Sequence, residues 1–114
     1  MASSGTQHRN SVAVIAVHSA IAFCDAVTIR AIGQKAKGDH RLAADFLRSV
    51  VRLHTPDDEK AIAGLRYLTG IKDRVSYAGE PVTAADIRQM RRRLEQFGDW
   101  AEQKFTALKD SPPR

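Results

Sequence analysis

The segment Thr55-Pro56-Asp57-Asp58-Glu59 leaves the backbone little choice but to start a helix. Threonine accepts a hydrogen bond from the first turn, proline suits the first helical position, and three acids face the positive helix end. Thr83 with Asp86 three residues on repeats the device as a near capping box, and Val82 with Ile87 fits a hydrophobic staple around it. These starts divide the chain. Residues 1–9 read as a disordered lead. A first helix begins near Asn10 or Ser11 and fades at Gly33–Gly38, and Asp39 caps a second that runs to about Leu53. The third runs from Thr55 to about Tyr77–Gly79 and the fourth from Thr83 to about Lys109, before a tail over 110–114. At 114 residues, with no internal repeat, this is one helical domain spanning 10–109. Short connections imply antiparallel neighbours. The predicted fold class is all-α, an up-and-down antiparallel four-helix bundle. An aromatic content of only 6%, beside plentiful Ala, Val, Ile and Leu, argues against a sandwich or barrel.

Helical periodicity then predicts which side chains face inward. At 100° per residue, residues 11–36 gather Val14, Ile21, Ala22, Ile29, Ile32 and Ala36 on one stripe, with His18 and Asp25 in its middle. The third helix aligns Ala61, Leu65, Leu68 and Val75, with Lys72 among them. The fourth aligns Ile87, Met90, Leu94, Phe97, Ala101 and Leu108, broken only by Lys104. A lone buried charge is expensive, so His18, Asp25 and Lys72 should find one another or line a cleft, with Asp25 and Lys72 within salt-bridge reach. The opposite face of the first helix (Val17, Ala20, Phe23, Val27, Ala31) is nearly as apolar as the front. A helix apolar all round is covered all round, which predicts a homodimer through helix 1 with Phe23 or Val27 in the interface.

Charge and motifs narrow the chemistry. A net charge of +5 permits contact with nucleic acid or other anions without specifying it. Arg88, Arg91, Arg92 and Arg93 read as a solvated face with Arg91–Glu95 and Arg92–Gln96 as i,i+4 partners. Arg41, Arg48 and Arg52 share a face of helix 2, and neither cluster has the stacking aromatics of a nucleic-acid platform. The single cysteine, Cys24, excludes an internal disulfide and reads as an inert, partly buried thiol opposite the His18/Asp25 stripe. The uncharged run Val12–Cys24 behind Arg9 loosely imitates a signal peptide, but falls short of the about 20 residues that span a bilayer. The stripe also continues in phase beyond it, so the expected location is cytoplasmic, away from membranes. There is no Gly-rich phosphate loop, no Cys-x-x-Cys, no His-Glu-x-x-His and no Glu-x-x-His, and His18 and His40 are not spaced for one metal on one helix. No metal or cofactor is expected.

The stretches His18-Ser-Ala-Ile-Ala-Phe-Cys-Asp25, Gly38-Asp39-His40 and Ile71-Lys72-Asp73-Arg74-Val75-Ser76-Tyr77, set in a short alanine-rich bundle, resemble the HEPN superfamily (higher eukaryotes and prokaryotes nucleotide-binding domains). The resemblance covers roughly residues 10–108. It implies homodimerisation and one of two roles: a metal-independent ribonuclease of toxin–antitoxin, CRISPR or phage-defence systems, or a non-catalytic partner of a minimal nucleotidyltransferase. Catalytic members carry an arginine followed after four to six residues by histidine. Here the matching positions read Lys72-Asp73 and then Tyr77, so both signature residues differ. Lysine lacks the guanidinium fork, and tyrosine is a poor general base at neutral pH. Arg48 and His54 meet the spacing by count, but at the end of helix 2, where the family does not keep that motif.

Three readings follow. In a non-catalytic binding module, His18, Asp25, Lys72, Asp73 and Tyr77 line a cleft for a nucleotide, an RNA end or a protein partner such as a nucleotidyltransferase or antitoxin. In a divergent ribonuclease, His18 is the base, Asp25 orients it and Lys72 stabilises the phosphorane. In the third, Asp25 and Lys72 form a buried structural ion pair and His18 is a satisfied core histidine.

Overall fold

A computed structural model describes residues 3–38, 40–51, 55–77 and 81–110, with side chains over 8–38, 40–51, 55–74 and 81–108. Among these the regular structure is entirely helical: α1 (Ser3–Ile32), a short 3-10 turn (His40–Leu42), α2 (Ala43–Val50), α3 (Pro56–Tyr77) and α4 (Ala84–Asp110). The protein is all-α. It measures 57 × 25 × 19 Å, the long axis set by the longer helices.

The two helix starts encoded by Thr55 and Thr83 form as the sequence predicts. The Asp58 amide donates to Thr55 Oγ1 at 3.3 Å, and the Thr55 amide donates back to Asp58 Oδ2 at 3.2 Å. Thr83 and Asp86 close the same reciprocal pair at 3.0 Å in each direction. Val82 is fully buried beside a half-buried Ile87, completing the staple. Other boundaries move. Helix α1 begins at Ser3, so residues 3–9 are helical rather than a disordered lead, and Arg9 Nε ties this end to the Val82 carbonyl at 2.7 Å. Gly33 ends α1 at φ +74°, a left-handed conformation that costs glycine nothing, with its amide bonded to the Ile29 carbonyl at 2.7 Å. Helix α2 stops at Val50 instead of Leu53, because Val51 turns extended (φ −102°, ψ 124°) and tucks into the core. The proposed cap Asp39 and residues Arg52, Leu53 and His54 lie outside the described residues.

The principal correction concerns α1. Its buried face is Ala13, Ala16, Val17, Ala20, Cys24, Val27 and Thr28, while Val14, Ala22, Ile29 and Ile32 of the expected inner stripe are exposed. The helix is turned by roughly a third of a revolution, about 130° at 100° per residue, from the predicted phase. Both faces are apolar, so hydrophobicity alone could not choose between them; size could. Helices α2, α3 and α4 all pack on α1, and alanines let their backbones approach where isoleucines would hold them off. Val27 is therefore core and not interface. Phe23 is 40% exposed and lies over Gly98, where a Cβ would stand 3.2 Å from its ring. Residues His8–Ile32 also form a helix long and apolar enough to cross a membrane by length and composition alone, contrary to the shorter run counted from the sequence. One side of it packs within the fold.

A buried carboxylate joins α3 to α4. Asp58, 2% exposed, accepts from Trp100 Nε1 at 2.8 Å and pairs with Lys104 Nζ at 3.1 Å, besides capping α3. Lys104, the break in the apolar register of α4, is thus explained: it neutralises Asp58 and lies 6.0 Å over the Trp100 ring. Trp100 stacks on Phe97 at 5.7 Å. Of the other predicted positions, Ala61, Leu65, Leu68, Met90, Phe97 and Ala101 are buried, Ile87, Leu94 and Leu108 are half-buried against the core, and the side chain of Val75 lies outside the described residues.

Three outcomes are expected in denaturation experiments. Asp58→Ala should cost about 2 kcal/mol, since it removes the α3 cap and leaves the buried Trp100 indole N–H without its acceptor, while the part-exposed Lys104 can turn to water. Gly70→Ala should stabilise by about 1 kcal/mol, because Gly70 is an exposed mid-helix position with nothing within 4 Å of a new Cβ. The Asp86 carboxyl is held below its usual range by the Thr83 backbone bond first, against the opposing effect of burial, with Thr83 Oγ1 and Arg74 assisting. A depressed folded pKa gives stability that is present above the ordinary carboxylate pKa of about 3.9 and is lost as pH falls through the folded value. Asp86→Asn should therefore flatten the acid limb of the stability–pH curve below about pH 4.

Candidate functional site

Three elements meet where α1, the 3-10 turn and the second half of α3 converge. Gly38, at φ +85°, makes a backbone turn that other residues resist, and two residues later His40 opens the 3-10 turn. There Lys72 Nζ, from α3, lies 3.1 Å from His40 Nδ1. An ammonium has only donors, so in this contact Lys72 donates and His40 Nδ1 accepts. The His18 ring, on the exposed side of α1, stands edge-on to His40 at 6.0 Å between centroids and 90° between planes. Beside them opens a cavity of about 150 Å³ lined by Ile21, Asp25, Lys35, Ala36, Gly38, His40 and Ala43.

Charge in this corner is mixed. Burial pushes the Asp25 carboxyl up, while Lys35 and His40 pull it back down. Arg41 Nε sits 3.7 Å from Asp73 Oδ2, an exposed pair of little energetic weight. Cys24, one residue before Asp25, points the opposite way: it is fully buried, with Sγ 3.9 Å from the Ala43 carbonyl. Burial first, and the Asp25 charge second, raise the thiol to about 12. It is no nucleophile at neutral pH.

The sequence expectations fare unevenly here. His18, Asp25, Lys72 and Asp73 do gather at one end of the α1–α3 seam, but as a surface cleft rather than as charges inside the core. The rotation of α1 leaves His18 exposed and Asp25 half-buried. The expected Asp25–Lys72 pair is not formed, since Lys72 turns to His40. Among the described residues no hydrogen bond or ion pair joins Asp25 to His18 or to Lys72. Tyr77 is the last residue of α3, and its side chain lies outside the described residues. His40 is the residue that periodicity missed, because it sits outside any long helix. Its signal was the glycine two positions before it, which turns the chain back onto α1. Among the described residues no group of three or more His, Cys, Asp or Glu side chains could hold a metal ion. The arginine cluster of α4 behaves as a solvated face: Arg88, Arg91 and Arg92 are exposed, while Arg93 lies 5.7 Å over the Tyr67 ring.

Compared with protein-family models, curated proteins and solved structures, the chain finds no significant match in any of the three.

A thiol reagent such as Ellman's should leave Cys24 unmodified in the native protein at pH 8 and label it fully in denaturant. Rapid native labelling would mean that α1 does not bury that face.

Proposed function

We propose that this chain is a HEPN-like, non-catalytic binding module. It is an up-and-down antiparallel bundle that works as a cytoplasmic homodimer and holds a phosphate group of a nucleotide or RNA end at the His18–His40–Lys72 cleft. One observation carries the reading: three side chains from three elements, two imidazoles and an ammonium, converge within hydrogen-bond or ring-contact range beside a cavity. A packed core gains nothing from that grouping, whereas an anion accepts from all three. The adjoining cavity of about 150 Å³ shares His40 with this cluster but is lined by the Asp25 carboxylate and not by His18 or Lys72, so the phosphate would sit on the cluster at the cavity's rim.

A second reading, the divergent metal-independent ribonuclease, gains support from His40. Two imidazoles can act as base and acid across one phosphate while Lys72 stabilises the added charge. Asp25 has no part in it as an orienting group, since it does not bond His18. The departures at Lys72 and Tyr77 from the family's catalytic pattern favour binding over cleavage.

Fluorescence anisotropy with a 5′-phosphorylated single-stranded RNA oligomer tests both. Binding should weaken about tenfold in Lys72→Ala, the loss of one charge-assisted hydrogen bond. It should also need the terminal phosphate, and the RNA should stay intact without added metal. Cleavage abolished by either His18→Ala or His40→Ala, with helical circular dichroism unchanged, would establish the ribonuclease instead. No binding at all would reject the phosphate site and leave a protein partner, antitoxin or nucleotidyltransferase, as the occupant.

A further inference from the structure

The cavity beside the cleft is lined by two opposite charges that do not pair with each other. Asp25 and Lys35 both line it. Burial raises the Asp25 carboxyl, and Lys35 is the strongest influence against that rise, so the two charges stand near each other. Among the described residues no ion pair joins them. A carboxylate that only accepts and an ammonium that only donates therefore share one space. Ile21, Ala36 and Ala43 give that space apolar walls. Its volume of about 150 Å³ suits one nucleobase, and lies well under the roughly 300 Å³ from which pockets enclose larger ligands.

Such a lining selects a flat ring that carries donors and an acceptor side by side on one edge. Guanine has that edge: O6 accepts, while N1–H and the N2 amino group donate. Adenine sets the lone pair of N1 against the carboxylate, and uracil offers one N–H between two carbonyls. The spacing fits as well. His18 and Asp25 are seven residues apart on one side of α1, about 10 Å at about 1.5 Å per residue. A nucleoside 5′-monophosphate spans that distance from its phosphorus to the far edge of its base. We propose that the cleft takes a 5′-guanylate group, with the phosphate on His18, His40 and Lys72 and the base in the cavity. Asp25 accepts from N1–H and the amino group, and Lys35 donates to O6. The proposal rests on the phosphate reading above and adds the base to it. It also gives Asp25 a partner, which neither His18 nor Lys72 provides.

Isothermal titration calorimetry of the full chain with GMP, IMP and AMP tests the base directly. GMP should bind about tenfold or more tightly than AMP, with IMP, which lacks the amino group, between them. Asp25→Asn should exchange this preference for XMP, whose C2 carbonyl accepts from the new amide, with the helical circular dichroism unchanged. A structural role for Asp25 would not move the choice of base. A 5′-phosphorylated RNA oligomer beginning with guanosine separates the two sources of the group. Tighter binding than GMP assigns an RNA end, and binding no tighter assigns the free nucleotide. Equal affinities for GMP and AMP, both lowered by Lys72→Ala, would overturn the guanine assignment and leave the phosphate site standing. An Asp25→Asn variant that weakens every nucleotide alike would do the same. Failure of all the nucleotides and the oligomer to bind would overturn both.

Discussion

Helix α1 has to satisfy two apolar faces at once, and the rest of the structure is arranged around how it does so. The side lined by Ala13, Ala16, Ala20 and Cys24 takes the other three helices because small residues permit the backbones to close up. The side lined by Val14, Ile15 and Ile29 is left over. Turning α1 inward by its alanines fixes which polar groups become accessible. His18 and Asp25 ride out with the isoleucines, and the cleft exists only because they do. Had the larger side chains faced inward, the same residues would be buried charges without partners.

The local parts of the fold were plain in the sequence. Capping is decided by side chains within four residues of one another, so Thr55/Asp58 and Thr83/Asp86 could be read directly. The inward faces of α3 and α4 were equally readable, because each has one apolar side and one wet side. Helix α1 defeated the same method. Hydrophobic periodicity ranks faces by polarity, and two apolar faces give it nothing to rank; the choice was made by packing volume, which a hydropathy pattern does not carry. The end of α2 was missed for a related reason, since Val51 leaves the helix to fill the core.

The candidate site was half legible. His18, Asp25 and Lys72 stood out as polar residues interrupting apolar stripes, and they do lie in one region of the surface. Their pairing could not be read, because it depends on the phase of α1 and on a loop. His40 arrives by way of Gly38 and a 3-10 turn, and it takes the contact with Lys72 that had been expected of Asp25. Lys104 was legible only as an irregularity in α4. Its partner, Asp58, lies 46 positions away in sequence, and only the packed structure brings the two together.

Asp58 also has a consequence for how the chain assembles. The same carboxylate that terminates the amide ladder of α3 accepts the indole proton and the ammonium of α4. Local helix formation and long-range docking therefore draw on one group. Before α4 arrives, the cap works in water as a weak surface interaction; once Trp100 and Lys104 close over it, its bonds strengthen in a drier setting. Opening the second half of α4 must in turn loosen the first turn of α3. The two helices thereby form one cooperative unit of unfolding, in which amide protons at the start of α3 should exchange together with those around Trp100 rather than fray independently.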